Sequence, residues 1–429
     1  MKTSSGASFV SYNKRMTHRT QHIQQEAAAI FPEIVSHYRW LHQHPELSYR
    51  EKETAAYITA FLDREGIPYR SGIGGYGILA RVTGEKETTI GQESTLADGE
   101  TRNGQDAGRC IAFVADMDAL PVQEQNEVDY RSLHDGVMHA CGHDAQSAAM
   151  MGAVKMAHTL RRHFSGTALF LFQPGEEQSP GGAHLMLKDG VFRDFTPAFI
   201  VKQHAYIDLP AGTVGFHAGT VMASADEVHI RVRGQGGHGA LPHELNDTVL
   251  AASQIVVAMQ QLVSRRRDPF NPMVLSFGRF IANGATNVIP GEVTLAGSMR
   301  CMHEEERRKM LQLIPQIAEA TAAAYGCHCE VTLPEGYPCV ISDEQITAAV
   351  RAQAQAYLGE AQVSAFPQRM TADDFGFFTQ LYPCCYYRFG VAREDHKPGP
   401  LHSGTFLIDE KSLLTAAGLF TFLVLNSLK

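Results

Sequence analysis

Short apolar runs alternate with helical stretches through the first half of the chain. Helical spacing from Gln24 to about Glu65 is interrupted at HQHPELSYRE (42–51), where Pro45 breaks it. GILARVTG (77–84) and IAFVADMDALP (111–121) read as strands, the second ending in acids. A helix over about 145–163 follows, then the strand GTALFLFQ (166–173), a second helix beyond Gly181, and the strand PAFIVKQHA (197–205). That alternation predicts βαβ units and a largely parallel sheet. The stretch 85–108 is polar and rich in Gly, Thr and Glu, and reads as a flexible excursion with no assigned function.

The pattern then changes. ADEVHIRVRG (225–234) alternates like a half-exposed strand; a helix over about 246–264 follows, then PMVLSFGRFIA and EVTLAGSMRCM as strands, a helix from about Glu304 to Tyr325, and the strand CHCEVTLPE. This β-α-β-β-α-β order suits a two-layer α+β unit with one open sheet face. Helices and short strands then resume, including CCYYRFGVA (384–392). The fold expected is α/β, a mostly parallel-sheet catalytic domain at 17–223 and 335–429, interrupted by an inserted α+β ferredoxin-like domain at 224–334. No internal repeat is evident.

Composition narrows the function classes. The 429 residues carry a net charge of −9, with 19% charged and 44% hydrophobic positions. That balance argues against a nucleic-acid footprint or a polybasic membrane patch. No run approaches the length of a membrane-spanning helix, and the N-terminus has no apolar core of a secretory signal. Residues 1–15 are expected to be an unstructured extension, with Met16 a possible start. Eight cysteines without regular spacing do not suggest a disulfide scaffold, so a cytoplasmic, reducing compartment is expected.

Candidate chemistry gathers at strand ends, where parallel sheets place ligands. The strand 111–115 ends in Asp116 and Asp118, the strand 166–173 runs into Pro174-Gly175 and then Glu176-Glu177, and the strand 197–203 ends in His204. A carboxylate pair such as Glu176-Glu177 can divide its work, one binding a metal and the other taking a proton from water; two solvated acids on a loop are the plain alternative. GVMHACGHDA (136–145) collects His139, Cys141, His143 and Asp144. It could be part of a zinc knuckle, a thiol nucleophile with its base, half of a catalytic metal site, or a buried structural cysteine beside a helix cap, with Asp144 capping a helix from Ala145. His402 lies in the loop GPLHSGTF, and His238 in the Gly-rich GQGGHGALPH, where it could donate to an oxyanion. Asn287 lies in GATNVIPG, and Arg300 near a strand end could clamp a carboxylate. Taken alone, each of the loop and strand-end residues in the last three segments reads as structure more readily than as function.

Taken in order, HQHPELSYRE, ADMDALPVQE, MHACGHD, FQPGEE, GGHGALPH, NVIPGEVTLAGSMR and LHSGTF resemble the aminoacylase/carboxypeptidase-G-type metallopeptidases, from about Ile34 to Leu423. Within them the chain is similar to the amidohydrolase branch that includes hippurate hydrolase and indole-acetyl-amino-acid hydrolases. The resemblance implies two divalent metal ions, zinc or manganese, held by Cys141, His143, Glu177, His204 and His402, with Glu176 as general base. It implies that the parallel-sheet domain is phosphorylase/hydrolase-like, that His238 serves the active site of a partner subunit, that Asn287 and Arg300 bind substrate, and that the insert is a lid and dimerisation domain. The implied activity is cleavage of the amide of an N-acyl amino acid, or of a dipeptide at the same centre, by a homodimer; a hydrolase with Cys141 as nucleophile and a non-catalytic binding protein are the rivals. Two departures stand out. Asp373 in MTADDFGFF occupies a position the family often gives to Glu, and Gly404-Thr405 replaces the usual Pro-Arg after His402-Ser403.

Overall fold

The computed structural model describes residues 4–86, 110–393 and 398–428, with side chains from Arg19 onward. The excursion at 85–108 lies outside the described residues except for its first two positions. The chain forms two compact units: Met1–Gly219 with Ile341–Pro367 and Phe378–Lys429, and Thr220–Val340 with Gln368–Phe377.

The first unit is built on β1 (Tyr69–Ile73), β2 (Gly77–Thr83), β3 (Cys110–Asp116), β4 (Thr167–Gln173), β5 (Ile200–Pro210) and β6 (Val214–Phe216), joined later by β11 (Val363–Ala365) and β12 (Cys384–Ala392). Their order across the sheet is β1-β2-β4-β3-β5-β12-β6-β11. The central strands β4, β3, β5 and β12 are mutually parallel, as the alternation predicts. The flanks turn antiparallel, at β1–β2, β2–β4 and β12–β6. Every residue of β3 and β4 is buried, which is why both read as unbroken apolar runs. β1 escapes sequence reading because its pattern is half exposed and its five residues include Arg, Ser and Gly.

Helices α1 (Ser4–Gln43), α2 (Lys52–Arg64), α3 (His143–Thr159), α6 (Glu344–Leu358) and α7 (Ser412–Ser427) complete this unit. In α3 only Lys155, His158 and Thr159 escape burial, so its apolar surface runs all round the helix. Its small residues let neighbours come close: a Cβ on Gly152 would stand 2.6 Å from Ile34 Cδ1 of α1. The α1 helix begins at Ser4, which corrects the expectation of an unstructured stretch to residue 15. All eight cysteines are free and buried. Among the described residues, no helix is long and apolar enough to cross a membrane.

The second unit holds β7 (Asp226–Arg233), α4 (Thr248–Gln261), β8 (Met273–Ala282), β9 (Glu292–Cys301), α5 (Glu304–Ala324) and β10 (His328–Thr332). Its sheet runs β8-β9-β7-β10 and is antiparallel throughout, the ferredoxin-like order. β7 alternates buried and exposed without exception. Its inward Val228, Ile230 and Val232 share a core with Ile255 and Met259 of α4 and Met310 and Ile314 of α5. Arg307 is buried here too, held by Asp226 at 2.7 Å and Glu304 at 2.8 Å.

His42, in the last turn of α1, joins three segments of the first unit. Its Nδ1 meets Asp144 Oδ2 at 2.7 Å and its Nε2 meets Glu124 Oε1 at 3.0 Å, with all three side chains about 1% exposed. Burial opposes charge on His42, but the bonds to Asp144 and Glu124 outweigh it and push the imidazole up to about 9. An unfolded histidine titrates near ~6.5. Because the folded value is the higher one, this stabilisation is complete below pH ~6.5 and disappears as pH rises through about 9. Denaturant unfolding from pH 6 to 10 should therefore show a loss of up to about 3 kcal/mol for the native chain. His42→Gln should start less stable at pH 6 and lack that step.

Candidate metal centre

Two strand-end loops and one carboxylate set the geometry. β3 ends at Asp116, and Asp118 follows two residues later. Gly142 caps α3 with φ 82°, the left-handed turn that carries the chain from Cys141 directly into the helix. His143 is therefore the first helical residue, and the expected cap by Asp144 is corrected: its Oδ1 accepts from Ala145 N (2.8 Å) while Oδ2 faces His42. His143 Nδ1 donates to Asp118 O (2.9 Å) and lies 3.2 Å from Asp118 Oδ1. Its other nitrogen, Nε2, is buried without a hydrogen-bond partner, 3.7 Å from Asp116 Oδ2 and 3.9 Å from Glu176 Oε2.

Beyond β4, Gly175 adopts φ 62° and the chain turns through Glu176 and Glu177. Asp118 reaches this loop as well: its Oδ2 accepts from Glu177 N (2.9 Å) and from Ser48 Oγ (2.7 Å). His204 lies within β5 rather than at its end, since the strand continues to Pro210. Its Nδ1 faces Ala205 O at 3.0 Å and its Nε2 faces Cys141 Sγ at 3.5 Å. His402 has φ 64°, rare for a residue with a Cβ, and its backbone N donates to Ala140 O (2.8 Å). Its Nε2 stands 3.3 Å from Glu177 Oε1. The departure at Gly404 has a steric reason: a Cβ there would stand 2.3 Å from Gln123 O.

Six of the nine predicted side chains are thus brought together. Donor atoms of Cys141, His143 and His204 lie within 4.8 Å of one another, as do those of Cys141, Glu177 and His402, and of His143, Glu176 and Glu177. Such overlapping trios of thiol, imidazole and carboxylate match the ligand chemistry of divalent transition metals. The other three predicted residues belong to the second unit. His238 is exposed and pairs with Val288 across a two-residue ladder, and Gly239 N donates to Asn287 O (2.8 Å), so His238 and Asn287 are neighbours. Arg300 lies on β9 opposite Val274.

The centre is electrostatically lopsided. Burial works against charge on His143, yet Cys141 and the Asp118 bond hold it well above the usual imidazole range. Cys141 and Glu177 push His402 up to about 10. Burial raises the Cys141 thiol and lowers His204 well below its ordinary value. Metal binding requires each of these donors in its deprotonated form, so a bound cation would favour the thiolate and the neutral imidazoles. Sequence reading left Lys202 out of the centre. It is wholly buried against Asp116, at 2.7 Å; a lysine in the middle of PAFIVKQHA is the available signal, because lysine is almost never buried unpaired.

Residues 112–426 match Peptidase family M20/M25/M40. The N-acyl-L-amino acid amidohydrolase of Geobacillus stearothermophilus is 36% identical over 313 residues, covering 73% of this chain and 79% of the relative. The IAA-amino acid hydrolase ILR1-like 2 of Arabidopsis thaliana is 31% identical, covering 93% and 86%. Among solved structures, the Bacillus subtilis YXEP protein, described as a dinuclear metal binding peptidase from the M20 family, superposes with a TM-score of 0.76 at 30% identity, covering 94% of this chain and 99% of its own. More than two-thirds of the chain carries the likeness, and the chain belongs to the M20 peptidase family, a family of metal-dependent amidohydrolases and peptidases.

Proposed function

We propose that this protein is a metal-dependent amidohydrolase that cleaves the amide bond of N-acyl amino acids. The observation that carries the reading is the set of overlapping trios Cys141/His143/His204, Cys141/Glu177/His402 and His143/Glu176/Glu177, with His143 Nε2 buried and unsatisfied. An imidazole anchored through Nδ1 to a carbonyl, with Nε2 turned inward, is oriented as metal-binding histidines are. Two divalent ions held by these five side chains would polarise a carbonyl oxygen and acidify a water. Zinc suits the thiol and imidazoles, and manganese suits the carboxylates.

Glu176, 7% exposed, is the general base. Its carboxylate takes the proton of the attacking water and passes it to the leaving amine. The Asp118 main-chain carbonyl accepts from His143 Nδ1, and its carboxylate, 3.2 Å from the same nitrogen, holds the Glu177 backbone. His238 is assigned a hydrogen bond to the carbonyl oxygen, and Asn287 and Arg300 the substrate's carboxylate, roles that their chemistry and the family resemblance support. Dipeptides are the competing substrates, and a panel of N-acyl amino acids against dipeptides separates the two. A Cys141 nucleophile has the Cys141–His204 approach in its favour, but burial raises the thiol, whereas nucleophilic cysteines have lowered values. Chelation abolishes activity on the metal reading and leaves it intact on the thiol reading.

Glu176→Gln should lower kcat by several orders of magnitude while elemental analysis still finds the native metal content; near-normal turnover would remove Glu176 from the mechanism. Asp118→Ala should weaken metal retention by about 10–100-fold in a chelator competition. The insert is also assigned the role of dimer surface, on the support of exposed Val274 and Phe280 on β8 and Leu250 and Val257 on α4. Sedimentation should give a dimer, and charged substitutions at Val257 and Phe280 should yield monomers.

A further inference from the structure

The loop carrying Glu176 and Glu177 is fastened by a segment that the proposed chemistry does not use. HPELSYRE (44–51) forms the bend between α1 and α2. Glu51 is fully buried, and its Oε1 accepts from Gly175 N (2.8 Å) and from Tyr49 N (2.9 Å). Tyr49 Oη accepts from Gly181 N (2.9 Å) and donates to Gln178 O. The Tyr49 ring lies so close to Gly175 that a Cβ there would stand 2.3 Å from Tyr49 Cε1. Tyr49 itself has φ 64°, a backbone conformation that disfavours any residue with a Cβ.

The two carboxylates are therefore gripped on both flanks: Gly175 before them by Glu51, Gln178 and Gly181 after them by Tyr49. A surface bend needs neither a buried carboxyl nor a tyrosine in the left-handed region. Strain of that kind persists where the surroundings hold a precise geometry. We infer that Glu51 and Tyr49 are positioning residues that set where Glu176 and Glu177 stand relative to the His143–Cys141 loop. The inference rests on the reading of Glu176 as base and Glu177 as metal ligand.

Three variants test it. Tyr49→Phe keeps the ring and removes the hydroxyl; Glu51→Ala removes the acceptor; Glu51→Gln keeps an oxygen for both amides. With N-acetyl-L-methionine and N-benzoylglycine as probes, Tyr49→Phe and Glu51→Ala should lower kcat by about 10–100-fold with KM nearly unchanged. Glu51→Gln should recover most of the loss. Zinc and manganese retention against graded chelators, which requires no substrate, should fall by about tenfold or more in Glu51→Ala. Kcat and metal retention that stay native in Tyr49→Phe, or a Glu51→Ala that loses thermal stability alone, would overturn the inference. If Glu51→Ala fails to fold, Tyr49→Phe decides it. A native chain that binds no divalent metal overturns both this inference and the proposed function, whereas an inactive Glu176→Gln beside fully active Tyr49 and Glu51 variants overturns this inference only.

Discussion

The carboxylate of Asp118 is the joint on which the centre depends. One oxygen faces His143 Nδ1 and the other receives the backbone of Glu177 and the hydroxyl of Ser48. Those contacts link the start of α3, the loop after β4 and the bend after α1, three segments far apart in sequence. A carboxylate has about four acceptor sites, enough to serve them all at once. Burial penalises its charge, but the bond from His143, with Glu177 N and Ser48 adding to it, keeps Asp118 below the ordinary carboxylate range. The charge that makes the joint is thus maintained by the groups it joins.

Around that joint the protein accepts buried charge on an unusual scale. Lys202 and Asp116 are both inaccessible to water, as are His143 and Asp118. Isolated buried ions are costly, and even good pairs return little net stability. Their concentration beneath one cluster of donors fits a site whose electrostatics serve chemistry more than folding. The second unit shows the other use of a buried ion pair: Arg307 ties Asp226 of β7 to Glu304 of α5 and donates to Gly336 O, bracing strand, helix and loop.

Much of this was legible from residue order because the physics is local. β3 and β4 are buried on both faces and so read as plain apolar runs. β7 has one wet face and so alternates. The six converging side chains were legible as a set only through the ordered motifs of the family resemblance, since each alone reads as an ordinary loop or strand residue. What stayed hidden depends on distant partners. The half-polar β1 gives no period, and the antiparallel flanks follow from pairing rather than pattern. The role of Asp144 depends on His42, 102 positions earlier. Lys202 is intelligible only once Asp116 is known to face it. Residues Gln368–Phe377 group with the second unit although they lie far beyond its main span, which no local signal announces.

The donors that meet at the centre are drawn from positions 141 to 402, and the last of them follows β12, one of the four central strands. The buried core of the second unit runs from Val228 to Cys329, so it is complete in sequence before β12 and α7 of the first unit begin. The donor cluster is therefore complete only once the chain extends past His402.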